Sequence, residues 1–108
     1  MTELFATDVS VPTTCGGRYL QQLCKHWAHS LTVEFTQAKG RIVFPRDVRG
    51  GDFPGDALVT LEAQPDALGV RIDATSPAQR DALKEAVARH LDRFAFREAP
   101  LAFAWRDI

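Results

Sequence analysis

Hydrophobic and polar positions alternate or recur along this chain in a way that predicts its elements one after another. Residues 4–11 alternate, with Phe5, Thr7, Val9 and Val11 on one side and Ala6, Asp8 and Ser10 on the other. Period two is the signature of a half-buried strand. Residues 12–17 form a turn, in which Thr13 or Thr14 can supply an N-cap hydroxyl to a helix. From about residue 17 to residue 30, Leu20, Leu23, Cys24, Trp27, Ala28 and Leu31 follow the spacing of an amphipathic helix. Residues 31–36 and 41–44 alternate again. Residues 37–40 join them as a hairpin, with Gly40 available for positive φ. Residues 45–56 hold two prolines and three glycines, a long connection expected to be mobile or functional. A second hairpin takes residues 57–63 and 68–74 around the turn 64–67. Ser76-Pro77-Ala78-Gln79 is a helix start: Ser76 as cap, Pro77 in the first position, Gln79 closing a capping box. That helix reaches about residue 96 and carries a stripe of Leu83, Ala86, Val87, His90, Leu91 and Phe94. Past Pro100, the alternation in residues 101–105 predicts a last edge strand.

The order β-α-β-β-β-β-α-β places two helical stripes and one antiparallel sheet in a single short chain. Both stripes are buried at once if the helices lie on one face of the sheet. The fold class is therefore α+β, a two-layer sandwich, and 108 residues correspond to a single domain.

Composition adds few constraints. Hydrophobic residues make up 45% and charged residues 25%, as in ordinary globular domains. A net charge of −1 gives no electrostatic footprint for nucleic acid or an anionic membrane. No apolar run approaches the ~20 residues of a membrane span. The opening MTELFATDVS is acidic and unlike a secretory signal, so a cytoplasmic location is expected, with Cys15 and Cys24 as reduced thiols.

Most of the unusual chemistry sits in RYLQQLCKHWAHS, residues 18–30. At about 100° per residue, Arg18, Gln22, Lys25 and His29 share one polar face, with His26 at its margin. Cys24 points about 160° away from His26, so the two cannot hold the same ion. Cys24 is read as a small buried hydrophobe. His26 and His29, at i and i+3, can approach one metal ion, although a tetrahedral site needs further ligands; the bland alternative is a pair of solvated histidines. His90 lies in the apolar stripe of the second helix. It is either a satisfied core histidine or a site histidine at the helix–sheet interface. Arg93 and Arg97 near the end of that helix suit its dipole, or form an anion clamp. Cys15-Gly16-Gly17-Arg18 at a helix start can hold an anion or simply turn the chain. No nucleophile elbow, phosphate-binding loop or zinc-protease motif occurs.

The blocks RYLQQLCKHWAHS at 18–30 and HLDRFAFRE at 90–98, with the tryptophan-bearing tail, resemble the bacterial domain-of-unknown-function family 2218 over nearly the whole chain. The resemblance implies a small bacterial protein without established activity and a TATA-box-binding-protein-like α+β layer. It also implies a link to siderophore-interacting, iron-uptake proteins. It draws attention to Arg18, Tyr19, Cys24, Lys25, His26 and His29 in the first block. In the second, it marks His90, Arg93, Phe94, Arg97 and Glu98. The one departure is the 45–56 connection, longer and richer in glycine than the resemblance leads one to expect.

Three functions follow as expectations. The first is a non-catalytic binding module for iron or an iron–siderophore complex, with Arg18, Lys25, His26 and His29 on the ligand side and a transition metal ion as cofactor. The second is a homodimeric interaction domain pairing through an exposed strand edge. The third is an enzyme using His90 with Arg93 and Arg97 in a cleft.

Overall fold

The computed structural model describes residues 4–48 and 51–108. Residues 1–3 of the N-terminal reading, and positions 49 and 50 of the long connection, lie outside the described residues. The elements are β1 (Phe5–Pro12), α1 (Gly16–Trp27), β2 (Thr32–Phe35), β3 (Lys39–Phe44), β4 (Ala57–Gln64), β5 (Ala67–Ala74), α2 (Pro77–Phe94) and β6 (Arg106–Asp107). The strands form one antiparallel sheet in the order β2-β3-β4-β5-β1-β6. Both helices cover the same face, α1 over β3 and β4 and α2 over β5 and β1.

The alternating pattern becomes aligned rows in this register. Val33, Ile42, Val59, Ile72 and Thr7 lie side by side across five strands, and the last four are fully buried under the helices. From above, Leu20, Leu23, Cys24 and Trp27 of α1 and Leu83, Val87 and Leu91 of α2 close the core. Each large apolar side chain so buried contributes about 1.5–3 kcal/mol. The alternate positions, such as Arg41, Thr60 and Arg71, stand exposed on the other face.

Local details depart from the sequence expectations for physical reasons. Helix α1 ends at Trp27, short of Ser30. Its N-cap is Cys15, which makes no side-chain cap hydrogen bond. The Thr13 hydroxyl instead accepts from the Cys15 N–H (3.1 Å), a turn-closing bond one step before the helix. Gly40 is not a turn residue with positive φ; it lies within β3, opposite Phe35. A Cβ there would sit 2.7 Å from the Cys24 sulfur, so the missing side chain lets α1 approach the sheet. Ser76 caps α2 as expected, its Oγ accepting from the Gln79 N–H (3.1 Å). The Gln79 side chain does not close the box. Its Oε1 accepts from Thr75 N–H and Oγ1–H (both 2.7 Å), and its Nε2 donates to the Gly55 carbonyl (3.0 Å). The expected edge strand at 101–105 is not a strand. Leu101 is buried and Phe103 and Trp105 pack partly on the core with stacked rings, so the alternation there serves core cover. Only Arg106 and Asp107 pair with β1.

Candidate functional site

Helices α1 and α2 run antiparallel past one another, and their seam has a closed end and an open end. At the closed end, the Tyr19 hydroxyl donates to Glu98, and the Thr13 hydroxyl donates across both Glu98 carboxylate oxygens (3.0 and 3.1 Å). Tyr19 is buried because it follows the core stripe, and Glu98 reaches it from the turns after α2. The adjacent Glu98 carboxylate, which accepts the phenol's proton in a hydrogen bond, pushes the Tyr19 pKa up from 10.0 to about 12, with burial adding to the effect.

In the middle of the seam the rings of His26 and His90 lie 5.0 Å apart, and Trp27 stands 4.9 Å from His90. Phe94 and Phe44 complete this aromatic cluster against His26 and Trp27, respectively. His90 is buried, and its Nδ1 is 2.7 Å from the carbonyl of Ala86 one turn earlier. A carbonyl only accepts, so Nδ1 carries the proton.

At the open end, where α1 stops at Trp27 and α2 continues alongside, lies a cleft of about 350 Å³. Trp27 and Leu31 form one wall and Leu83 and Ala86 the other, while Phe44, Val48 and Phe53 come from the end of β3 and the following connection. Its polar members are Ser30, Gln79, Glu85 and Arg89. Gln79 has its amide committed to Thr75 and Gly55. Glu85 and Arg89 form a loose exposed pair at 3.8 Å, which leaves the mouth with one charge of each sign. The connection is braced at its base: Arg46 N–H donates to Asp56 (2.9 Å) and Phe53 N–H to the Arg46 carbonyl (3.1 Å). The volume falls at the lower end of small-molecule pockets, which run from about 300 to 1,000 Å³ with apolar walls and few polar groups.

The sequence candidates distribute unevenly around this feature. His26 and His90, on different helices, meet in the seam. His29 lies beyond the last residue of α1 and is exposed, as are Arg18 and Lys25. Arg93 and Arg97 are exposed near the end of α2, Arg97 over the ring of Phe96 (5.7 Å). None of these seven lines the cleft, although Trp27 and Ala86, the neighbours of His90, do. Among the described residues no three His, Cys, Asp or Glu side chains gather as a metal site. Cys24 is fully buried, and burial pushes its pKa from 9.0 to about 11.

Sequence reasoning missed the cleft itself. Its signal was the 45–56 connection, whose apolar Val48 and Phe53 had no place in any strand or helix. It also missed the Tyr19–Glu98 bond, which joins residues 79 positions apart.

Residues 8–106 match the model of a family described as "Uncharacterized protein conserved in bacteria (DUF2218)". Among solved structures, the NMR structure of PA4090 from Pseudomonas aeruginosa is similar, with 30% identity and a TM-score of 0.72 over 94% of this chain and 95% of that one. No curated protein matches the chain. No helix among the described residues is long and apolar enough to cross a membrane.

Proposed function

The chain belongs to the bacterial family DUF2218, and from that starting point we propose that it is a non-catalytic binding module whose cleft takes a small, mostly apolar organic molecule. The observation that carries this reading is the cleft of about 350 Å³ between the end of α1 and the flank of α2. Trp27, Leu31, Phe44, Val48, Phe53 and Leu83 offer it an apolar lining with aromatic faces. Such a site stabilises a ligand through the apolar surface it removes from water, about 25 cal/mol per Å². Glu85 and Arg89 at the mouth orient a polar end of the molecule.

A binding role is favoured over a catalytic one by the chemistry of the lining. It presents one acid and one base, already near each other, and neither a histidine nor a cysteine. His90, the residue on which an enzymatic reading rests, spends its Nδ1 proton on Ala86 and packs, with tilted rings, against His26 and Trp27. If the module serves iron uptake, as the family resemblance implies, its iron arrives inside an organic chelator and the cleft recognises the chelator's apolar portion. Direct coordination by His26 and His29 would need a third ligand that the described residues do not gather around them. Nucleic acid is disfavoured by the balanced charge of the open sheet face: Lys39, Arg41, Arg71 and Arg106 stand with Asp8, Glu34, Glu62 and Asp73. A cytoplasmic setting fits two free thiols.

The test is an amide-proton NMR titration with 8-anilinonaphthalene-1-sulfonate, a probe with an apolar body and one anionic group. The expected result is saturable shifts confined to Trp27, Leu31, Phe53, Ala82 and Ala86, abolished when Ala86→Trp fills the cleft. No shifts, or shifts unaffected by Ala86→Trp in a variant with native near-ultraviolet circular dichroism, would exclude the cleft as the site.

A further inference from the structure

The face of the sheet away from the helices carries one row of side chains that spans all six strands. In register these are Glu34 on β2, Arg41 on β3, Thr60 on β4, Arg71 on β5, Asp8 on β1 and Arg106 on β6. Directly opposed residues of neighbouring strands share a face, so the row lies on the open side. Its two halves differ. Asp8 and Arg106 form a two-bond pair at 3.1 and 3.2 Å, and Arg71 is held by Asp73 of its own strand. Glu34 and Arg41 are neighbours across β2 and β3 and are both exposed. Neither appears in any side-chain hydrogen bond or ion pair among the described residues.

Reversing the row shows what it fits. Place a second copy face to face on the first, with a two-fold axis along the strands between β4 and β5. Strand β2 then lies over β6 of the copy, β3 over its β1, and β4 over its β5. Glu34 meets the copy's Arg106, Arg41 meets the copy's Asp8, and Thr60 meets the copy's Arg71. Each charged residue of the row meets the opposite charge or a hydroxyl. A two-fold interface must be self-complementary in this sense. The in-chain pair Asp8–Arg106 becomes the centre of a four-member chain, Glu34–Arg106–Asp8–Arg41, which occurs twice in the assembly. Ser10, Thr60 and Gly69 floor a shallow trough beside the axis, which admits the copy's Arg71.

We propose that this protein associates through its open sheet face into a two-fold dimer of four layers, helices outside and two sheets within. The geometry allows it, because sheets stack face to face about 10 Å apart and within about 30° of alignment, a gap that opposed arginine and carboxylate side chains can span. Strands about 4.8 Å apart and up to eight residues long outline a face whose pairing removes on the order of 1,000 Å² from water. That is the size of a weak, reversible interface. Its polar character makes it sensitive to salt. The occupant is a second copy rather than an unrelated chain because the charges answer each other only when the row is read against its own reverse. This differs from pairing of strand edges, which would leave the row in water. The cleft lies on the helix side and stays open in such a dimer.

Sedimentation equilibrium of the whole protein tests the proposal. A concentration-dependent dimer is expected at about 20 mM salt and a monomer at about 1 M. R41D opposes like charges with the copy's Asp8 and weakens association at least roughly tenfold. R41D combined with D8R exchanges the charges and restores it. The exchange E34R with R106E reads the second pair in the same way if D8R fails to fold. A protein monomeric at millimolar concentration in low salt overturns the proposal. So does a dimer that R41D leaves intact, or one that neither charge exchange restores.

Discussion

The two ends of the helix–helix seam are built from the same pair of helices and solve opposite problems. At the closed end the polar groups are used up. Tyr19 and Thr13 donate to one carboxylate, and Thr13 also accepts from the backbone at Cys15. At the open end apolar surface is left facing a void, with aromatic rings from α1, β3 and the 45–56 connection around it. A helix pair closed at both ends would have been a more economical core. The contrast separates two tasks: hydrogen bonds to Glu98 tie the start of α1 to the end of α2, while the end of α1 and the flank of α2 leave apolar surface uncovered.

Substitutions at and between the two ends separate their roles. The largest effect is expected between the two ends, where Gly40 lies against Cys24. Gly40→Ala places a Cβ about 2.7 Å from the sulfur and should cost about 1–3 kcal/mol in urea denaturation, as overpacking does. Adding Cys24→Ala should recover most of that loss, a coupling that a double-mutant cycle measures; strict additivity of the two changes would refute the contact. Next comes the closed end. Tyr19→Phe should lower stability by about 1 kcal/mol, the net worth of a typical hydrogen bond, and should leave the probe titration of the cleft little changed.

The same tyrosine sets an alkaline limit. The folded protein holds the phenol's proton to about pH 12, while the unfolded chain releases it near 10.0. Between those values the folded state binds more protons, so stability must fall as pH rises. Below pH 10 the contribution is complete. Denaturation midpoints measured from pH 9 to 12 should fall less steeply for Tyr19→Phe than for the parent. Cys24, with its pKa pushed to about 11, acts in the same direction from pH 9.0 upward. At pH 8 iodoacetamide should label half-buried Cys15 and spare Cys24 in the native protein; equal labelling would mean that the core around α1 opens readily. The smallest stability effect belongs to the open end. Phe53→Ala should lower the unfolding free energy by less than about 1 kcal/mol, since its ring is only half-buried, yet should weaken binding of the probe several-fold.

Hydrophobic periodicity made the layers legible, because burial acts residue by residue along each strand and helix. The directions of α1 side chains were legible for the same reason: a fixed rotation per residue sends Cys24 inward and Lys25 outward. Reading failed where a residue's role depends on something distant in sequence. Gly40 looked like a turn glycine because the helix that presses on it is not visible in its neighbours. Gln79 looked like half of a capping box because Gly55, its acceptor, lies 24 positions earlier. Residues 101–105 alternate like a strand, but alternation marks only one buried side. Metal-like spacing of His26 and His29 said nothing of His90, which the packing of α2 brings within ring contact of His26. Val48 and Phe53 hinted at the cleft, but no local pattern outlines it, since its walls come from four separate segments.

The hydrogen bonds of Gln79 have a mechanical consequence. One side chain ties Thr75, the first turn of α2 and the carbonyl of Gly55 together, and Gly55 is held again by the Thr75 hydroxyl. The far side of the cleft therefore behaves as one plate, made of the start of α2 and the end of the connection. Trp27 and Leu31, at the opposite wall, share none of these hydrogen bonds. Removing the Gln79 amide would therefore loosen the start of α2 and the end of the connection together, on one wall of the cleft and not the other.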